Sequence, residues 1–98
     1  MKFEWDERKN IANYEKHGVR FEDACYVFSD KCALNKFDEE HSVHEDRWIM
    51  LGRSILSKKM LVIVHTYKKV EENEIVRIIS ARKAGNKERQ TYLERKIS

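Results

Sequence analysis

A chain of 98 residues suits one domain spanning residues 1–98, because two would each be too small to bury a useful core. Hydrophobic residues make up 41% and charged residues 38%, with three Gly and no Pro, which excludes collagenous and low-complexity chains. Twenty Lys and Arg against seventeen Asp and Glu leave +3, a mildly basic balance that permits a polyanionic partner without demonstrating one. The longest apolar run, Met60 to Val64, falls far short of the roughly 20 residues that cross a bilayer. The opening Met-Lys-Phe-Glu-Trp-Asp lacks the apolar stretch of a secretory signal, so the sequence predicts a cytoplasmic protein with no membrane partner. Cys25 and Cys32 are too sparse for a disulfide scaffold or a zinc site, and are expected as unpaired thiols.

Lys2 to Trp5 alternates polar and apolar residues, predicting a short opening strand. Asp6 can cap a helix over Glu7 to His17, and Gly18 is suited to end it in the left-handed region. Ile11, Ala12 and Tyr14 are the expected inner side of that helix, with Lys9, Asn13 and Lys16 as an exposed stripe. Val19 to Phe21 reads as an extended link, followed by a second helix that starts at Glu22 and Asp23 and buries Ala24, Cys25, Val27 and Phe28. Ala33 to Phe37 suggests an edge strand, and Asp38 to Asp46 a polar loop. Arg47 to Arg53, Met60 to Tyr67 and Glu74 to Ala81 read as three further strands, with Ser57-Lys58-Lys59 a turn and Lys68 to Asn73 a hairpin connection. Asn86 can cap a last helix through Glu88, Tyr92 and Leu93 towards Ile97.

The predicted fold is therefore α+β: a small antiparallel sheet with helices on one face, in the order β-α-α-β-β-β(-β)-α. Part of the other face should remain accessible. No Gly-rich phosphate loop, His-Glu-x-x-His, paired Cys-x-x-Cys or nucleophile elbow occurs. His41 and His44 sit in an acidic loop with no obvious third ligand and read as surface histidines, so no metal or cofactor is expected.

Cations instead gather at strand ends and in the last third: Arg53, Arg77, Arg82, Lys83, Lys87 and Arg89. Strict alternation would put Arg77 with Ile75, Ile79 and Ala81, and Arg82 with Val76, Ile78 and Ser80. A guanidinium fork suits phosphate oxygens, and Trp48 or Tyr67 could stack an unpaired base. The competing expectation is structural, with Arg77 and Arg82 paired to Glu22, Asp23 or Glu88.

Three ordered blocks cover nearly the whole chain. They are Phe3-x-Trp5-Asp6-x-x-Lys9-x-x-x-Asn13-x-x-Lys16-His17-Gly18-Val19-x-Phe21-Glu22-x-Ala24, then Arg47-Trp48-x-x-x-Gly52-Arg53-Ser54 with His65-Thr66, and last Arg77-Ile78-Ile79-Ser80-Ala81-Arg82-Lys83-Ala84-x-x-x-Glu88-Arg89-x-x-Tyr92. Together they resemble the BrnT toxins. The resemblance implies a RelE-like ribonuclease of a type II toxin–antitoxin system, inhibiting translation and growth and neutralised by a cognate BrnA-type antitoxin. It implies contact with operator DNA only through that antitoxin.

A metal-independent cleavage through the RNA 2′-hydroxyl would need a base, cations on the phosphorane and an acid at the leaving oxygen. On that reading Arg82 and Arg53 stabilise phosphate, with Arg77 a second candidate. His65 is either the proton-transfer group or a core histidine, and His17 is the alternative base or a helix-end cation. Lys9, Lys16, Lys83, Tyr67 and Arg89 are candidate RNA contacts, and Tyr92 serves either packing or the groove. The alternatives are a basic RNA- or protein-binding module without chemistry, and a decayed toxin that only binds its antitoxin.

Overall fold

The computed structural model describes residues 1–97. Its elements are β1 (Lys2–Glu4), α1 (Glu7–His17), α2 (Phe21–Cys25) with a 3-10 turn (Tyr26–Ser29), β2 (Leu34–Phe37), β3 (Arg47–Arg53), β4 (Met60–Val70), β5 (Asn73–Lys83) and α3 (Asn86–Ile97). The expected α+β class and element order are present. The sheet runs β1-β5-β4-β3-β2. It is antiparallel except at one edge, where β1 pairs parallel with β5. That edge corrects the all-antiparallel expectation: the chain leaves β1 through two helices and returns from the far side, a crossover that permits parallel pairing.

Local chemistry explains the helix ends. Asp6 Oδ1 accepts from the Arg8 amide at 2.9 Å, and Gly18 closes α1 at φ 71° while donating to Tyr14 O. The orientation of α1, however, is the reverse of the amphipathic expectation. Asn10 and Asn13 are buried, whereas Ile11 is 56% and Tyr14 44% exposed. Asn13 Nδ2 donates to Val19 O at 2.9 Å and Ala81 O at 2.8 Å, and its Oδ1 accepts from Ala81 N at 3.1 Å. Asn10 Oδ1 accepts from Phe21 N at 2.8 Å, and its Nδ2 donates to Glu22 at 2.8 Å. Fully partnered amides can be buried without a desolvation penalty, so they dock the helix where apolar residues were expected.

The core lies between the helices and the sheet: Val19, Phe21, Ala24 and Val27 against Leu61, Ile63, Val76, Ile78 and Ala81. Phe21 thus belongs to α2 and the core, not to an extended link. At Gly52 an added Cβ would lie 2.8 Å from Val27 Cγ1 and 2.9 Å from the Ala33 Cβ, so β3 touches the helix layer only because this residue has no side chain. The β4–β5 strands run to Val70 and from Asn73, tightening the expected six-residue connection to a hairpin with Glu71 at φ 58°.

One irregularity decides where the arginines go. Val64 pairs with Ser80 and His65 with Ile78, leaving Ile79 unopposed. This bulge shifts the parity of β5 by one residue. Val76, Ile78 and Ala81 all face the helices, and Arg77, Ser80 and Arg82 share the other face. Strict alternation had split the two arginines.

Candidate nucleic-acid interface

The open face can be mapped from register. Leu34, Leu51, Val62 and Arg82 form one row across β2 to β5. Lys36, Ile49, Val64 and Ser80 form the next, and Arg47, Thr66 and Arg77 the third, with Glu4 beyond on β1. Arg53 lies at the opposite end, level with Met60. A half-apolar centre is therefore bordered by four arginines.

They do not converge on one point. Arg82 and Arg77 stand opposite residues four apart on β4, roughly 13 Å at about 3.3 Å per residue. Arg53 and Arg77 stand opposite residues six apart, roughly 20 Å on the same spacing. Arg47 and Arg77 flank the same residue, Thr66, from either side, so their backbones are separated by two strand spacings, roughly 10 Å. Two side chains of that length can reach one phosphate between them.

Most of these cations face a carboxylate. Arg82 forks onto Glu88, with both nitrogen–oxygen distances 2.8 Å, and Glu88 also accepts from the Gly85 amide at 2.8 Å. The mutual hydrogen bonds raise the Arg82 guanidinium further above its ordinary value and hold the Glu88 carboxyl below its own. This is the structural pairing anticipated for Glu88. Arg77 approaches Glu4 only at 4.0 Å and remains 42% exposed. Arg47 meets Glu45 at 3.3 Å. Arg53 donates to the Lys58 carbonyl at 3.2 Å. Exposed pairs of this kind are worth about 0–1 kcal/mol, so a phosphodiester can replace the carboxylate.

Besides a concavity of about 300 Å³ that holds Arg77 and Thr66 with Glu4, Glu45 and Asp46, two larger concavities lie on this face. One, of about 710 Å³, is lined by Lys36, Asp38, His41, Arg47, Ile49 and Ser80. In it His41 Nδ1 lies 2.9 Å from Asp38 Oδ2. A carboxylate there orients the imidazole and leaves its second nitrogen for proton exchange. His41 is 63% exposed, as expected of a surface histidine, and its pairing with Asp38 follows the Asp-x-x-His spacing. The other, of about 690 Å³, lies between Leu51 and Val62 on the sheet and Lys87, Glu88 and Thr91 of α3. Thus α3 borders the open face at its Arg82 end. It is pinned by Tyr92, whose buried hydroxyl donates to Asp30 Oδ2 at 2.8 Å. Burial, with the Asp30 charge, pushes the Tyr92 phenol up to about 12. Tyr92 is therefore a packing residue.

The other expected site residues lie elsewhere. His65 is on the helix-covered face, 2% exposed, with its ring edge-on to Phe28 at 4.9 Å. Burial drives its pKa below the ordinary imidazole value. It belongs to the core alternative, and the open-face arginines cannot use it. Lys9 and Lys16 are exposed on α1, in the helix layer. Lys83 is exposed at the end of β5 with helix-face parity, and Arg89 is exposed on α3. Tyr67 is 42% exposed and donates to Glu74 at 2.8 Å. Cys25 and Cys32 are free thiols; burial raises Cys25 to about 11. Among the described residues no three His, Cys, Asp or Glu side chains converge to hold a metal, and no helix is long and apolar enough to cross a membrane.

The class of the fold is thus α+β: α1 and α2 cover one face of a five-stranded sheet, and arginines border the other, which α3 meets at its Arg82 end. Residues 5–88 match the family model described as ribonuclease toxin, BrnT, of type II toxin-antitoxin system, and the chain belongs to that family. No curated protein sequence matches the chain. Membership in a type II system implies an antitoxin partner.

Proposed function

We propose that this protein is a RelE-like endoribonuclease that cuts RNA on the open face of its sheet, without a metal ion, and so blocks translation and growth in the cytoplasm. The family match over residues 5–88 carries the ribonuclease reading. The common face of Arg47, Arg77 and Arg82 supports its location.

In this scheme Arg47 and Arg77 grip the scissile phosphodiester from the two sides of Thr66. The RNA 2′-hydroxyl attacks phosphorus, displacing the 5′-oxygen and leaving a 2′,3′-cyclic phosphate. His41, oriented by Asp38 and lining the same concavity as Arg47, is the proton-transfer candidate. Negative charge builds on the phosphoryl oxygens as the reaction proceeds, so fixed guanidinium groups stabilise the transition state more than bound substrate. Arg82 and Arg53 then hold neighbouring phosphates along the track, Arg82 by exchanging Glu88 for phosphate. His65 has no part in this chemistry. A BrnA-type antitoxin neutralises the enzyme by covering the same face, and reaches operator DNA on the toxin's behalf.

Incubating purified protein with labelled RNA in EDTA tests the reading. The expected products carry 2′,3′-cyclic phosphate or 3′-phosphate on one side and 5′-hydroxyl on the other. Intact RNA with salt-sensitive binding would identify a module without chemistry, and products with 5′-phosphate would contradict the 2′-hydroxyl route.

A further inference from the structure

On the helix-covered face, a cavity of about 280 Å³ is walled by Phe28, Trp48, Met50 and Tyr67, with Asn35, His65, Val76 and the exposed Met1 also on its lining. Trp48 lies directly opposite His65 across the β3–β4 ladder. His65 is 2% exposed; its Nδ1 is fully enclosed beside the Ile63 backbone and makes no side-chain hydrogen bond. The enclosed Nδ1 is out of a ligand's reach, but the ring lines the cavity, and its other nitrogen can meet a polar group that enters there. Burial keeps the imidazole neutral, so the ring offers one donor and one acceptor.

The cavity shares one wall, Tyr67, with the concavity that holds Arg77. β3 begins at Arg47, opposite Thr66, but β4 runs on through Tyr67 to Val70. Tyr67 consequently borders this cavity and also the concavity in which Arg77 lies with Lys68 and the carboxylates of Glu4, Glu45 and Asp46. An RNA strand with a phosphate at Arg77 can turn round the start of β3 and put its base on the other side. The volume is near the lower limit of small-molecule pockets and suits a single heterocycle.

We infer that this cavity is a base-binding subsite, receiving one unpaired nucleobase stacked on Trp48 and Tyr67 with its polar edge turned to the His65 imidazole. The inference rests on the RNA-cleavage reading and adds a source of sequence preference to it. Aromatic walls alone would accept any base; the imidazole discriminates among base edges. An aliphatic or phenyl side chain from a protein partner would make no use of the imidazole on the cavity wall.

Trp48 fluorescence tests this in a Trp5→Phe background, which leaves one tryptophan. AMP, GMP, CMP and UMP are titrated, with ribose 5-phosphate as the probe lacking a base. Saturable quenching by at least one nucleotide and none by ribose 5-phosphate is expected. His65→Phe fills the same space without the polar edge, and Tyr67→Ala removes an exposed wall without touching the core. Each should weaken nucleotide binding about tenfold, the scale of one base–aromatic contact.

Equal quenching by ribose 5-phosphate would overturn the inference. So would wild-type affinity in both variants, or quenching by the antitoxin and by no nucleotide. RNA cleavage is scored on the same preparation. Cleavage without base binding removes the subsite and leaves the ribonuclease, whereas base binding without cleavage does the reverse.

Discussion

The two faces of the sheet use polar residues in opposite ways. On the covered face, Asn10 and Asn13 are buried, and their amides are partnered by backbone groups of Val19, Phe21 and Ala81 and by Glu22. On the open face, Arg47 and Arg77 keep to the surface with loosely held carboxylates. Closed hydrogen bonding makes a polar group structural; a weak, exposed partner leaves it available for exchange with another anion. Arg82 stands between these cases, half-exposed but held by two 2.8 Å contacts to Glu88.

The contrast is broken most severely at Asn13. Asn13→Ala leaves the Val19 and Ala81 carbonyls and the Ala81 amide without their partner, an expected loss of about 3 kcal/mol in urea unfolding. Ile11→Ala on the same helix should cost less than about 0.5 kcal/mol, because that side chain is turned outward. Equal losses in the two variants would refute the inverted orientation of α1.

A smaller effect is expected at Asp30. Burial alone would raise its pKa, but hydrogen bonds from the Arg53 and Cys32 amides and the Tyr92 hydroxyl outweigh it and hold the carboxyl below its ordinary value. A group depressed on folding contributes stability above its unfolded pKa and loses it as pH falls through the folded one. Stability should therefore decline on the acid side below the usual Asp range, and Asp30→Asn should flatten that limb while costing about 1 kcal/mol at neutral pH. An acid limb unchanged by the substitution would remove Asp30 as its source.

The smallest change sharpens the comparison at Arg82. Glu88→Gln dissolves an exposed pair and should alter stability by less than about 1 kcal/mol. RNA binding should tighten, most visibly at low salt, because the guanidinium no longer exchanges one anion for another. Weaker binding would mark the pair as a structural bracket for α3.

Much of the fold was legible because local signals were unopposed. Asp6 and Gly18 bound α1, and the alternation over Arg47 to Arg53 sets β3 and its faces. Two features were not. Helical periodicity cannot distinguish an inward asparagine from an outward one, since its partners, Val19 and Ala81, are backbone groups six and 68 residues away. The bulge at Ile79 likewise depends on register with β4 and carries no composition signal in Arg77-Ile78-Ile79-Ser80-Ala81-Arg82. That single residue moves Ala81 inward and Arg82 outward, so the site could not be assembled by counting. The three blocks resembling BrnT pointed to a ribonuclease toxin independently of these details.

The most direct test compares the faces by single-turnover RNA cleavage in EDTA, with thermal melts of the same proteins. Arg77→Ala should cleave about a hundredfold more slowly, the cost of removing one transition-state donor, while melting as the wild type does. Lys9→Ala combined with Lys16→Ala, on the helix layer, should stay near the wild-type rate. Unimpaired cleavage by Arg77→Ala with loss of activity in the lysine pair would place the chemistry on the wrong side of the sheet and contradict the account.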